Sequence, residues 1–311
     1  MMTELPLVSV IMNCFNGSKY LREAIDSVVS QGYPSWEIVF YDNGSTDNSG
    51  LIACSYGDKL RYFRGEQTVP LGAARNAAIT HANGEFVAFL DTDDQWLPDK
   101  LEAQVALMQA HPEAALCYSN VYVLSEASER MRLAYKKTQP SGRVFAPFLR
   151  YYPLNLQTVI VRRDALLSMP EMFDPTLEVS EEYDVFIRLL HGAQAIYLDQ
   201  PTAIYRVHSQ MTSVRKNNLY PVENEYILRK LCELIPNLEQ LYPGELRYLR
   251  AKIGYWHAVA NMANGNKRQA RERLSTHKWT ALEFMVLYLA TYFPAAVWRT
   301  LLSTKTMLGA R

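Results

Sequence analysis

The sequence has no charge of either sign to spare: Lys plus Arg and Asp plus Glu each number 32, and the formal net charge is zero. No overall field draws the chain to nucleic acid, so nucleic acid is not expected as a partner and ligands must be recognised locally. Cysteine is scarce. Cys14, Cys54, Cys117 and Cys232 lie far apart with no CxxC pair, which excludes a zinc-finger pattern and a disulfide framework and fits a reducing cytoplasm. No basic segment with a cleavable apolar core precedes the first apolar run at Val8, so a secretory signal is not expected. Membrane-length runs are missing as well. The uncharged stretch Phe284–Trp298 is broken by Pro294 and as a helix would be about 22 Å long, short of the roughly 30 Å of a bilayer core. It is expected to be interfacial or packed rather than spanning.

What is present is an ordinary globular balance, 49% hydrophobic and 21% charged over 311 residues, enough for one large α/β domain with an appendage. Val8–Met12 is short, apolar and β-branched, as a buried strand is. Leu21, Ala24, Ile25, Val28 and Val29 then recur at helical spacing, with Ser18 the expected N-cap. Strands at 37–41, 60–63 and 86–90 and helices at 71–82 and 99–110 continue the alternation, which predicts a parallel sheet. Three of the strands run into polar turns, at 13–16, 42–47 and 91–94. Ligands of open α/β sheets bind where such turns gather. Strands near 116–123, 158–161, 196–198 and 203–207 follow less regularly, and from Pro221 the chain reads as helical.

Three segments carry chemistry. Phe86–Leu90 delivers Asp91, Asp93 and Asp94 into one tight turn, where like charges repel unless a cation or hydrogen-bonding ligand offsets them. A hard divalent ion, Mg or Mn, takes oxygen ligands and shares them with phosphate; the plainer reading is an acidic turn capping the next helix. In Asp42-Asn-Gly-Ser-Thr-Asp47, Asp42 can accept two hydrogen bonds, Gly44 permits an unusual backbone angle, and Asp47 or Ser45 can cap a helix. In Ser180-Glu-Glu-Tyr-Asp184, carboxylates open a helix, where they either favour its positive end or serve as a general base.

Val8-Ser-Val-Ile-Met-Asn-Cys-Phe-Asn16, Asp42-Asn-Gly-Ser-Thr-Asp47, Ala74-Arg-Asn76 and Leu90-Asp-Thr-Asp-Asp94 resemble, in order and spacing, the motifs of family 2 glycosyltransferases over roughly residues 5–215. The resemblance implies a GT-A fold, a Rossmann-like α/β architecture with a mostly parallel central sheet, and a nucleotide-diphospho-sugar donor whose sugar passes with inversion to a glycan or lipid-linked saccharide. On that basis residues 1–220 form the catalytic domain, with a nucleotide half to about 115 and an acceptor half beyond it, and 221–311 form a helical extension. Cys14, Asn16, Asp42, Arg75 and Asp91 fall at donor-binding positions, with Asp42 suited to a uracil N–H and Asp91 to the ribose. Asp93, with His208 in Tyr205-Arg-Val-His208, falls where the metal (Mn or Mg) is held, and Asp94 borders the sugar. Glu182 stands where the family has an Asp as general base, with Glu181 and Asp184 as alternatives. The family also has Pro and Thr where this chain has Asn13 and Cys14. Arg215 and Lys216 are either a diphosphate-pairing pair or a solvated one.

A sugar nucleotidyltransferase is disfavoured because Asn13–Ser18 contains one glycine, too few for its phosphate loop. A nucleotide-sugar sensor or inactive partner subunit stays open as the second reading. The aromatic and aliphatic segment 279–302 is open to three readings: a membrane-surface contact, which would place the protein at the inner face of a membrane, a surface for homo-oligomer formation, or packing on the catalytic domain.

Overall fold

The computed structural model describes residues 5–293 and Trp298. The chain divides into two compact units, Met1–Val144 with Pro153–Met211, and Phe145–Tyr152 with Thr212–Arg311.

The first unit is built on a nine-stranded sheet: β1 (Val8–Cys14), β2 (Trp36–Asp42), β3 (Leu60–Arg64), β4 (Phe86–Phe89), β5 (Gln95–Trp96), β6 (Ala114–Ser125), β7 (Arg130–Leu133), β8 (Ile160–Arg162) and β9 (Gln194–Val207). The order is β3-β2-β1-β4-β8-β6-β9-β5, with β7 hydrogen-bonded to β6. β3, β2, β1 and β4 are parallel, as the strand-helix alternation predicts. Every residue of β1 and β4 is buried, the mark of strands covered on both faces. Helix α1 (Leu21–Val29) supplies one cover. Its Leu21, Ala24, Ile25 and Val28 are fully buried in one cluster with Val8, Val10 and Met12 of β1, and each of these side chains larger than alanine contributes about 1.5–3 kcal/mol. Helices α2 (Ser49–Cys54), α3 (Leu71–Ile79), α4 (Lys100–Ala110) and α5 (Glu181–Gly192) complete the elements that matter for the site.

Two local expectations are corrected. Ser18 is not the N-cap of α1; the helix begins at Leu21, so the cap position falls two residues later at Tyr20, without a side-chain cap bond, and the Ser18 N–H is donated to Asp47 Oδ2. The stretches 196–198 and 203–207 are one strand, β9, whose register against β6 slips between Ser119 and Asn120, so that Leu198 faces Ser119 and Pro201 faces Asn120. The intervening residues bulge out, which accommodates a proline that cannot donate to the ladder. β8 enters antiparallel between β4 and β6, a pairing no local pattern announces.

Topology positions the site. Cys14 pairs with Asp42 and Ile11 with Phe89, so the turns after β1, β2 and β4 lie side by side at one edge. β5, directly after the acidic turn, pairs antiparallel with β9 through Gln95–Ile204 and Trp96–Ala203. That pairing sets Asp93 and Asp94 against Arg206 and His208, more than a hundred positions later.

The second unit is helical: α6 (Tyr220–Leu234), α7 (Pro243–Ala263), α8 (Lys267–Ser275) and α9 (Leu282–Ala290). Pro243 opens α7, where its missing N–H costs nothing, and Gly265 at φ +79° follows its end in the left-handed region. Ala258, Met262, Ala270, Leu274, Leu287 and Ala290 form its core. Among the described residues no helix is long and apolar enough to cross a membrane.

One core residue is anomalous. Lys100 at the start of α4 is 1% exposed; its ammonium donates to Gln104 Oε1 and lies 4.8 Å from the Trp96 ring centroid, with no carboxylate pairing with it among the described residues. Burial pulls its pKa from 10.5 down to about 7. Between those values the unfolded chain holds a proton that the folded chain lacks, so stability rises with pH across that window and carries the full penalty below it. Lys100→Met is expected to stabilise the fold at neutral pH by roughly 1–3 kcal/mol. Denaturant unfolding from pH 6 to 10 should show the rise in the native chain and a flatter profile in the variant.

Candidate active site

The turns after β1 and β2 are sewn together by short polar bonds. Asn16, at φ 55°, donates its N–H to Ser45 Oγ (2.9 Å), and its Oδ1 accepts from Thr46 N (2.8 Å). Gly17 N donates to Ser49 Oγ (3.1 Å) and Ser18 N to Asp47 Oδ2 (3.0 Å), while Asp47 Oδ1 accepts from Ser49 N at the start of α2. Burial works to raise the Asp47 pKa, but the hydrogen bonds from Ser49 and Ser18 overcome it and hold the carboxyl at about 2. A Cβ on Gly17 would come within 2.6 Å of Thr92 Oγ1, so this glycine lets the first turn close on the acidic turn.

Two donor-site expectations meet a different environment here. Asp42 is wholly buried: Oδ1 accepts from Ser45 N (2.7 Å), and Oδ2 from the Tyr62 hydroxyl (2.6 Å) and Arg64 NH1 (2.8 Å). Its carboxylate is engaged in building the turn and in holding Arg64, whose own side chain is half exposed. The Cys14 thiol is also buried, 3.9 Å from Ser45 Oγ, with burial pushing its pKa up, so it packs the turn instead of facing outward. The side chain that does stand out from the first turn is Phe15, 55% exposed.

The three aspartates of the acidic turn fan out to different partners instead of converging on one point. Asp91 Oδ1 accepts from Arg75 NH2 at 3.0 Å. Asp93 Oδ2 lies 2.9 Å from His208 Nε2. Asp94, 2% exposed, accepts from Arg206 N through Oδ1 (2.8 Å), and its Oδ2 has no hydrogen-bond partner. Burial, and then the charge of Asp91, raises the Asp93 pKa against the opposing hydrogen bond from His208. Asp94 is raised well above the usual carboxylate range by burial and then by Asp93 and Asp91.

Arg75, on α3, joins this turn to the helix that carries the candidate bases. Its guanidinium is 3% exposed, pairs with Asp91 on one side and Glu181 Oε1 on the other, and lies 5.6 Å from the Phe173 ring centroid. Glu181 is therefore spent on Arg75; its pKa is raised by burial and brought back in part by that cation. Glu182, next in the first turn of α5, is only partly covered. Burial, then repulsion from Glu181, pushes its pKa up to about 8. Asp184 is turned away into a cluster with Glu171 and Asp174, where Arg188 bonds Asp184 Oδ2 at 2.6 and 3.0 Å and also reaches the Glu171 and Met172 carbonyls. The ligand atoms of that acidic group lie within 4.8 Å of one another, but Arg188 already supplies positive charge there.

Sequence reasoning missed Arg206. Besides its N–H to Asp94, its Nε donates to the Asp93 carbonyl (3.0 Å), its NH2 to Glu23 Oε2 (2.6 Å), and it stacks on Tyr20 with 4.4 Å to the ring centroid. Tyr20 also packs against His208 at 5.4 Å. The signal was its place two residues before His208; what it grips, on α1 and the acidic turn, is set by the β5–β9 pairing.

A parallel Rossmann-like half with acidic and polar turns at its carboxyl edge, followed by a mixed half, is the GT-A glycosyltransferase architecture. Solved structures agree: Staphylococcus aureus TarS 1-349 in complex with UDP-GlcNAc superposes with a TM-score of 0.67 at 20% identity, covering 97% of this chain and 92% of that one. The Pyrobaculum calidifontis mannosyltransferase PcManGT, in complex with GDP-Man and Mn2+, gives 0.63 at 20% identity, covering 99% and 86%. The "Glycosyl transferase family 2" profile matches residues 9–158. An uncharacterized glycosyltransferase of Rickettsia typhi is 31% identical over 226 residues, 70% of each chain. The chain belongs to glycosyltransferase family 2 and is a glycosyltransferase. It spans 36% of a longer Rickettsia felis glycosyltransferase, also at 31% identity. The Escherichia coli UDP-Glc:alpha-D-GlcNAc-diphosphoundecaprenol beta-1,3-glucosyltransferase is 30% identical over 161 residues, 51% of this chain and 62% of that one.

Removing Arg75 would strand one buried and one partly buried carboxylate. Arg75→Met is expected to cost about 3–5 kcal/mol of stability, and the double variant Arg75→Met/Glu181→Gln to recover a large part of it. Urea unfolding of the native chain, both single variants and the pair closes the cycle.

Proposed function

We propose that this glycosyltransferase moves a sugar from a nucleotide-diphospho-sugar, UDP-linked, to a hydroxyl of a glycan or lipid-linked acceptor with inversion at the anomeric carbon. One observation carries the reading: Arg75 ties Asp91 of the donor turn to Glu181 and so sets the neighbouring Glu182 beside the donor site. The donor arrives between the sewn turns and the acidic turn. Phe15 offers a ring face to the base, and Asp42 accepts the base N–H once the half-exposed Arg64 swings aside. Asn16 lines the same pocket, Asp91 meets the ribose, and the unpartnered Oδ2 of Asp94 takes a sugar hydroxyl.

The residues fit a divalent ion at Asp93 and His208. A carboxylate oxygen and an imidazole nitrogen 2.9 Å apart are close enough that both would hold one ion. Repulsion from Asp91 would be relieved by added positive charge. Mn or Mg held there supplies charge to offset that of the departing diphosphate. The relatives' donors and acceptors support this reading by analogy: UDP-glucose and a diphosphoundecaprenol-linked sugar in the Escherichia coli enzyme.

Glu182 takes the acceptor's proton as that oxygen attacks the anomeric carbon and the bond to the diphosphate oxygen breaks. With a pKa of about 8, its carboxylate is a stronger base than an exposed glutamate and is more than half protonated at pH 7. Acceptor-dependent turnover is therefore expected to climb with pH to a plateau above about 8. Glu182→Gln should lose the climb and about 10²–10⁴-fold in rate.

Release of nucleoside diphosphate from UDP-, GDP- and dTDP-sugars, with and without Mn, tests the donor assignment. The expected outcome is metal-dependent release from a UDP-sugar that disappears in Asp93→Ala; undiminished release in that variant would refute the metal site. Nucleotide binding without turnover in the presence of candidate acceptors would favour a sensor.

A further inference from the structure

We infer that the outward face of α9 in the helical unit is a docking surface for an anionic lipid bilayer. α9 is apolar on both sides. Its inward residues Phe284, Leu287 and Ala290 are buried, and Leu287 and Ala290 pack in the core with Ala258, Met262, Ala270 and Leu274. Its only charged residue, Glu283, accepts a hydrogen bond from the Tyr248 hydroxyl at 2.5 Å. The opposite side repeats Leu282, Val286, Leu289 and Phe293 at helical spacing, all exposed, with Leu282 at 71% and Trp279, just before the helix, at 79%. Among the described residues none covers this second face.

The rim says what covers it. Residues 267–278, which lead into α9, hold five basic side chains (Lys267, Arg268, Arg271, Arg273 and Lys278) against one acidic, Glu272, in a chain of zero net charge. Three of the five reach the ends of the apolar face. Arg271 lies 3.7 Å from the Tyr292 ring centroid, Lys278 lies 4.7 Å from that of Tyr288 and 5.7 Å from that of Trp279, and Lys267 Nζ donates to the Phe293 carbonyl at 3.2 Å. An aliphatic stripe with tryptophan and tyrosine at its borders and cations beside them matches a membrane interface layer by layer: acyl chains, headgroup level, phosphate. α9 would lie in the surface plane, since nine residues make a helix of about 13 Å. A second copy of the chain fits less well, because it would bring the same basic rim, in which Glu272 is the one acidic residue of 267–278.

The part of the segment 279–302 beyond Phe293, apart from Trp298, lies outside the described residues, and the inference rests on 267–293 alone. Cosedimentation with vesicles tests it. The native chain should bind phosphatidylcholine vesicles containing phosphatidylglycerol at least about tenfold more tightly than phosphatidylcholine alone, with binding weakened by salt. Leu282→Glu/Leu289→Glu should lose about tenfold or more, and Arg268→Glu/Lys278→Glu should lose the preference for anionic vesicles. Should the leucine pair misfold by circular dichroism, Trp279→Ser serves in its place. Asp93→Ala should bind vesicles like the native chain, so failure of docking and failure of the catalytic reading are seen separately. No binding to anionic vesicles, binding unchanged by the apolar substitutions, or native self-association in light scattering that those substitutions abolish would each overturn the proposal.

Discussion

The buried guanidinium of Arg75 is the interaction on which the arrangement of the site depends. It takes one carboxylate from the turn after β4 and one from the first turn of α5, and its own partner there, Glu181, lies 106 positions further along the chain. A cation 3% exposed is costly to bury, and the cost is offset because Asp91, Glu181 and Glu182 all favour its charged form. Arginine suits this post better than lysine would, since its planar fork can hold two carboxylates at once. The pairing also gives three neighbouring acids that look alike in the sequence different surroundings. Glu181 is held by Arg75 and Asp184 by Arg188, and Glu182 is partly exposed with a raised pKa.

The second constraint is the short pairing of β5 with β9. Only two residue pairs make it, yet it delivers His208 to Asp93 and the Arg206 N–H to Asp94. Arg206 then braces the turn from the other side, reaching α1 through Glu23 and Tyr20. Donor-side geometry thus rests on three separate parts of the chain: the β1–β2 turns, the acidic turn and the end of β9.

Much of this was legible in the sequence. The parallel order of β1 to β4 follows from apolar runs alternating with a 3.6-residue period, and the polar turns that end these strands lie side by side at one edge of the sheet. Asp93 and His208, named together from motifs 115 positions apart, are 2.9 Å from each other. What could not be read is decided by non-local pairing. Nothing in residues 158–162 says that β8 inserts antiparallel between β4 and β6, and the bulge that keeps β9 continuous past Pro201 depends on β6. Side-chain allegiance was hidden for the same reason. Asp42 stands in a motif that suits base recognition, but its occupation by Tyr62 and Arg64 comes from β3, and Asp47, 29 positions on, accepts the Ser18 N–H.

The electrostatics of the site point in one direction. Burial raises the pKa of Asp93, Asp94, Glu181 and Glu182, and for each the next contributions include a neighbouring carboxylate or the cation that restrains it. Arg75 is one positive charge among Asp91, Glu181 and Glu182, and Arg206 gives Asp94 a backbone N–H while its guanidinium turns to Glu23. An assembly with more buried acid than base is poorly stabilised by itself and is relieved by positive charge or by hydrogen-bond donors. On the reading proposed above, the hydroxyls of a sugar answer the donor requirement at Asp94 and a divalent ion answers the charge requirement at Asp93. On that reading the same excess at Glu182 raises the affinity for the proton that a hydroxyl must give up as it attacks. The negative surplus that destabilises the site by itself is, on that reading, the property that would let one end of it bind and the other end act as a base.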